Sequence, residues 1–120
     1  MFVIEPEILV VDDEPSVRSV AKRLLERSGY QALEAGSGEE ALRVLHQQPY
    51  AIALLLTDII MPGLSGTQLA VAARKVQPAL PVVLMSGYCS SVGEPLDGYQ
   101  CLPKPFKRQE LVSLVAEALR

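Results

Sequence analysis

The strongest constraint in this chain is an alternation. Five times over, a short aliphatic run gives way to a polar turn and then, in most cases, to a stretch with apolar residues at helical spacing. Ile8-Leu9-Val10-Val11 opens the series, continuous enough to be a strand buried on both faces. Tyr30 to Ala35 is a weaker second strand, and Ile52 to Thr57 is the most apolar run of all. Pro81 to Met85 and Tyr99 to Leu102 complete the set. Between them lie helical stripes: Val17, Val20, Ala21, Leu24 and Leu25; then Ala41, Leu42, Val44 and Leu45; then Leu69, Ala70, Ala72, Ala73 and Val76. Leu111, Leu114, Val115, Ala118 and Leu119 form the last.

Local signals punctuate these elements. Pro15 suits the first turn of a helix, where its missing N–H would be unpaired in any case. Gly29 is a terminator. Ser37 with Glu40 has capping-box spacing, Ser65 can cap the third helix, and Pro49 ends the second. Repeated strand–helix units predict a parallel sheet with helices on both faces. In such sheets ligands bind beyond the carboxyl ends of the strands.

The 120 residues suffice for one domain, expected to span residues 1–120, which would bury roughly two-thirds of its unfolded surface. Lys and Arg number 11 against 14 Asp and Glu, a net charge of −3 that argues against direct nucleic-acid binding. No apolar run approaches the roughly 20 residues that span a bilayer, and Met1 to Pro6 lack the basic start of a signal peptide. A cytoplasmic location without membrane insertion is expected. Cys89 and Cys101 have no metal-ligand spacing and are expected as unpaired thiols without a redox role. His46 is the sole histidine, expected on an exposed helix face, so a zinc site has no donor set.

The strand ends carry the chemistry. Asp12 and Asp13 follow the first strand, Asp58 the third, Ser86 the fourth and Lys104 the fifth. If the first and third strands are neighbours, three carboxylates share one pocket. They must take up protons or be neutralised by a cation, and a hard divalent ion such as Mg²⁺ suits oxygen donors. As simple helix caps, Asp12 and Asp13 would need no partners on other strands. No Gly-rich nucleotide loop is present. A carboxylate beside a divalent ion and a lysine can instead attack phosphorus and become an acyl phosphate, with Ser86 donating to a phosphoryl oxygen.

Val10-Val11-Asp12-Asp13-Glu14, Thr57-Asp58 through Pro62-Gly63-Leu64-Ser65-Gly66, Met85-Ser86-Gly87 and Lys104-Pro105-Phe106, in this order, resemble the receiver domain of two-component response regulators. Leu54-Leu55-Leu56-Thr57-Asp58 and Met85-Ser86-Gly87-Tyr88 look most like receivers attached to hybrid sensor histidine kinases. The resemblance implies an α/β, doubly wound, five-stranded parallel sheet of flavodoxin-like order 2-1-3-4-5. It implies Asp58 as phosphoacceptor, and Mg²⁺ held by Asp12, Asp13, Asp58 and the backbone carbonyl of Ile60. Ser86 and Lys104 are implied on the phosphoryl oxygens, with a cis Lys104–Pro105 bond. The implied partner is a sensor histidine kinase or a histidine phosphotransfer protein, and a homodimer is compatible with the family. The domain would catalyse only its own phosphorylation and dephosphorylation.

Two departures stand out. Cys101 takes the position, three residues before the lysine, where the family usually has Tyr or Phe, so any switch is expected to run without that aromatic gate; Tyr99 is expected to pack the surface. Residues 89–98 are short for the family's fourth helix and contain Pro95, so a single turn or loop is expected in place of a full helix. Pro103 is expected at the sheet edge, where its missing N–H is tolerable. Two competing functions follow: a receiver-like interaction module that works without phosphorylation, and a Mg²⁺-dependent phosphohydrolase. The second lacks an obvious group to position water, since Ile60 is apolar. The chain is expected as a stand-alone regulator or as one domain of a longer protein.

Overall fold

The computed structural model describes residues 7–48 and 51–120. The expectations for Met1–Pro6 and for Pro49 lie outside them. The elements run β1 (Glu7–Val11), α1 (Pro15–Arg27), β2 (Gln31–Ala35), α2 (Gly38–Gln47), β3 (Ile52–Asp58), α3 (Gly66–Val76), β4 (Val82–Ser86), β5 (Pro95–Leu96), β6 (Tyr99–Pro103) and α4 (Arg108–Ala118). The sheet order is β2-β1-β3-β4-β6-β5. All pairings are parallel except β5 with β6.

Period-two alternation divides the core into two layers. Leu9, Val11, Leu55, Leu84 and Cys101 face Ala41 and Leu45 of α2 and Leu69, Ala70 and Ala73 of α3. Ile8, Val10, Leu54, Leu56, Val83, Met85 and Leu102 face Ala21 and Leu25 of α1 and Leu111, Leu114 and Val115 of α4. The central strands are apolar on both sides because each side is covered by helices.

Helix ends follow the sequence signals. Pro15 starts α1, and Gly29 follows its end with φ +94°, a left-handed conformation that glycine adopts without steric cost. Ser65 and Gln68 cap each other reciprocally at α3. At α2 the Ser37 hydroxyl accepts from the Glu40 N–H, whereas the Glu40 carboxylate reaches back to the Gly36 N–H, one residue beyond the expected box.

As expected, no helix forms between Ser86 and Pro95, but the strand count needs correction: among the described residues the sheet has six strands, not five. Residues 87–94 are turns and bends, and Pro95–Leu96 forms a two-residue edge strand. Asp97 (φ +53°) and Gly98 (φ +83°) turn it back into β6. Asp-Gly is the preferred pair for a two-residue hairpin with both central φ angles positive. That signal was present in the sequence and outweighed helix formation in a segment interrupted by Gly93 and Pro95. β5 thus covers the edge of β6 at Tyr99 and Gln100, and Pro103 lies beyond its reach.

Cys89 and Cys101 are also corrected: they are joined by a disulfide, with Cα atoms 6.0 Å apart. The expectation of free thiols rested on spacing along the chain, and it overlooked that the helix-free connector folds Cys89 back over β6. Among the described residues, no helix is long and apolar enough to cross a membrane.

Candidate functional site

Strand register assembles the site. Val11 pairs with Thr57 and Asp58 with Met85, while Ser86 pairs with Pro103. The residues just beyond these pairs, at the carboxyl edge of adjacent strands, are therefore brought together. Asp12, Asp13 and Asp58 each offer a carboxylate oxygen, all lying within 4.8 Å of one another. Asp12 is fully buried, Asp58 partly buried and Asp13 exposed.

Lys104 closes the cluster. Its ammonium lies 2.8 Å from Asp12 Oδ2 and 3.1 Å from Asp58 Oδ1. The preceding Pro103 ends β6, the Lys104 N–H donates to the Ser86 carbonyl at 2.9 Å, and the Lys104–Pro105 bond is cis. Burial works against the ammonium, but hydrogen bonds and charge from Asp12 and Asp58 outweigh it and raise the Lys104 pKa. Burial raises the Asp58 pKa above the ordinary 3.8, and the Asp12 charge adds to the rise; Lys104 and the Ile59 N–H oppose both without cancelling them. A partly dehydrated carboxylate held beside a second acid is short of positive charge. The donor set is all oxygen, with neither Cys nor His, and so fits a hard divalent cation.

Asp12 and Asp58 are each held from a second side. The Glu14 N–H donates to Asp12 Oδ1 at 2.9 Å, and the Ile59 N–H to Asp58 Oδ1 at 2.9 Å. Arg18 on α1 donates from Nη1 to the Asp12 carbonyl at 2.8 Å and from Nε to Glu34 at 3.0 Å. Arg18 was not singled out in the sequence. It borders an apolar stripe, where a cation reads as part of the solvated face.

Gly66 is fixed by close approach. A Cβ there would collide with the Asp58 carbonyl oxygen, and the Gly66 N–H donates to the Ile59 carbonyl at 2.7 Å. The start of α3 therefore abuts the end of β3. Ser86 is buried at the end of β4, and its hydroxyl accepts from the Tyr88 N–H at 2.9 Å. Ile60 is exposed, two residues past Asp58. A groove of about 440 Å³ lined by Ser16, Val17, Val20, Lys104, Pro105 and Phe106 shares Lys104 with the acidic cluster. His46 is exposed on α2 and bonds to the Leu42 carbonyl, away from the cluster in the chain's fold. Tyr99 is half-buried, with the Arg74 guanidinium 4.8 Å above its ring.

Comparison with known proteins agrees with this fold. The family model of the response regulator receiver domain matches residues 8–116. The sensor kinase CckA of Brucella abortus is 34% identical over 93% of this chain, which spans 12% of that protein's length. The response regulator receiver protein CpdR of the same organism is 31% identical over 93% of this chain and 95% of its own length. The crystal structure of the receiver domain from the hybrid histidine kinase CckA superposes with a TM-score of 0.83 at 42% identity, covering 95% of this chain and 99% of that one. The chain belongs to the response regulator receiver domain family of two-component signalling systems.

Proposed function

We propose that Asp58 is the phosphoacceptor of a two-component phosphorelay. A carboxylate oxygen of Asp58 forms a bond to phosphorus as the bond from phosphorus to a donor imidazole nitrogen breaks. The imidazole keeps the electron pair and takes a proton from water. The donor is a sensor histidine kinase or a histidine phosphotransfer protein, the partner class that kinship with CckA and CpdR suggests.

Asp12, Asp13, Asp58 and the carbonyl of Ile60 would hold Mg²⁺, which supplies positive charge for the phosphoryl oxygens. Lys104, already within 3.1 Å of Asp58, turns its ammonium to a phosphoryl oxygen. The Ser86 hydroxyl keeps its bond from the Tyr88 N–H and donates its own proton to another. Apolar Val17, Val20 and Phe106 beside Lys104 give a donor helix a surface to dock on. In this reading the domain acts in signalling and catalyses only its own phosphorylation and dephosphorylation.

The observation that carries the proposal is the Asp12–Lys104–Asp58 bridge beside exposed Asp13. An interaction module without phosphoryl chemistry has no need of acids from two strands around one lysine. The test is intact mass after incubation with acetyl phosphate and Mg²⁺. Wild type is expected to gain one phosphoryl group and Asp58→Asn none. Equal gain by both proteins, or by neither, contradicts the proposal.

A further inference from the structure

We propose that Cys89 and Cys101 are a redox modification site, whose disulfide clamps the β4–β6 connector and whose reduction by a low-molecular-weight thiol releases it. The pair stands outside the acidic cluster and has no part in the phosphoryl chemistry above. It uses both cysteines of the chain. Cys89 lies three residues after Ser86, and Cys101 three residues before Lys104, so the bond ties together the segments leaving and entering the two strands that carry those groups.

The connector has few other restraints. No helix forms in it, and its pairing to β6 is only two residues long. One main-chain hydrogen bond, from the Gly93 N–H to the Cys101 carbonyl at 2.8 Å, joins its middle to the sheet. Ser90 and Ser91 bond to Glu94 within the connector and anchor it to nothing else. Tyr88 and Val92 stand exposed on it. A covalent link is therefore the one tie stronger than a hydrogen bond across this stretch, and its loss leaves a segment whose apolar contacts with the core are those of Cys89 and Leu96, the kind that opens locally.

The two sulfurs differ in access. Cys101 is fully buried, whereas Cys89 is partly exposed. A thiolate of the glutathione type attacks the Cys89 sulfur, the S–S bond breaks, and Cys101 leaves as a thiolate that takes a proton. A second thiol attacks the mixed disulfide, releasing Cys89 as a thiol and the small-molecule disulfide. Two electrons and two protons pass to the protein, and two small thiols are oxidised. A reducing compartment is the location expected from the sequence. Disulfides there are usually transient or redox-sensing.

The test is hydrogen–deuterium exchange of the full chain after equilibration in oxidised or reduced glutathione, with the thiol state read by alkylation and mass. Reduction is expected to speed exchange of amides in residues 87–98 by about tenfold or more and to leave β1 and β3 unchanged. Cys89→Ser, at a partly exposed position that tolerates the change, is expected to exchange like reduced wild type in both buffers. Two alkylatable thiols at every glutathione ratio, equal exchange in the two buffers, or a Cys89→Ser protein that still responds would each overturn the clamp. None of these readouts involves phosphorylation, so failure of the phosphoacceptor proposal would register separately, as a missing mass gain.

Discussion

Lys104 sits between two acids that would otherwise repel, and Asp58 is the one for which that arrangement is least comfortable. Its carboxyl is pushed above 3.8 by burial and by Asp12, despite the lysine. A folded carboxyl with a raised pKa holds its proton to higher pH than the unfolded chain does. Native stability therefore falls as pH climbs from about 3.8 through the raised value. Without divalent ions, Asp58→Asn is expected to melt above wild type, with the gap widening over that window and then levelling. Thermal melts in chelator across pH check this, and a gap that is absent or shrinks with pH contradicts it. At this scale much was legible. Asp12, Asp13, Asp58, Ser86 and Lys104 were all visible as polar residues ending apolar runs, because a parallel sheet gathers strand ends. Arg18 was not, since its role depends on where α1 crosses the Asp12 backbone. The cysteine pairing was not either, because it depends on the path of an irregular connector.

Two elements position the chemistry from outside. The start of α3 touches the end of β3 through Gly66, where any side chain meets the Asp58 carbonyl. Gly66→Ala is expected to cost about 1–3 kcal/mol of stability, as overpacking does, and to weaken divalent-ion binding by displacing Asp58. Denaturant unfolding and ion titration measure the two effects; unchanged values for both would contradict the contact. Helix α1 presents Val20, about half exposed, beside Lys104. Val20→Glu is expected to slow transfer from a phosphohistidine protein by about tenfold, the loss of one interface anchor, while acetyl phosphate still labels Asp58. Equal slowing with both donors would place Val20 in the chemistry and not in docking. Periodicity placed both helices correctly because each has one apolar face. It gave no sign of β5, because Gly93, Pro95 and the Asp97-Gly98 turn carry no period and a two-residue strand is too short to show one.

For the whole molecule, the acids link β1 to β3, two adjacent inner strands of the sheet. A cation bound there by the native state alone stabilises every element at once. At a hundred times its dissociation constant, Mg²⁺ is expected to add about 2.7 kcal/mol to the unfolding free energy. Asp12→Asn should lose most of that gain, which unfolding with and without Mg²⁺ would reveal. Alternating strands and helices, with aliphatic residues on both faces of the central strands, made the two-layered parallel architecture legible; the sixth strand adds an edge without altering it. The most direct measurement of the central claim is peptide mapping of the phosphoryl group after treatment with acetyl phosphate, with and without chelator. Label is expected on the peptide containing Asp58 in Mg²⁺ and none in chelator. Label on another residue, or equal labelling without the ion, would contradict it.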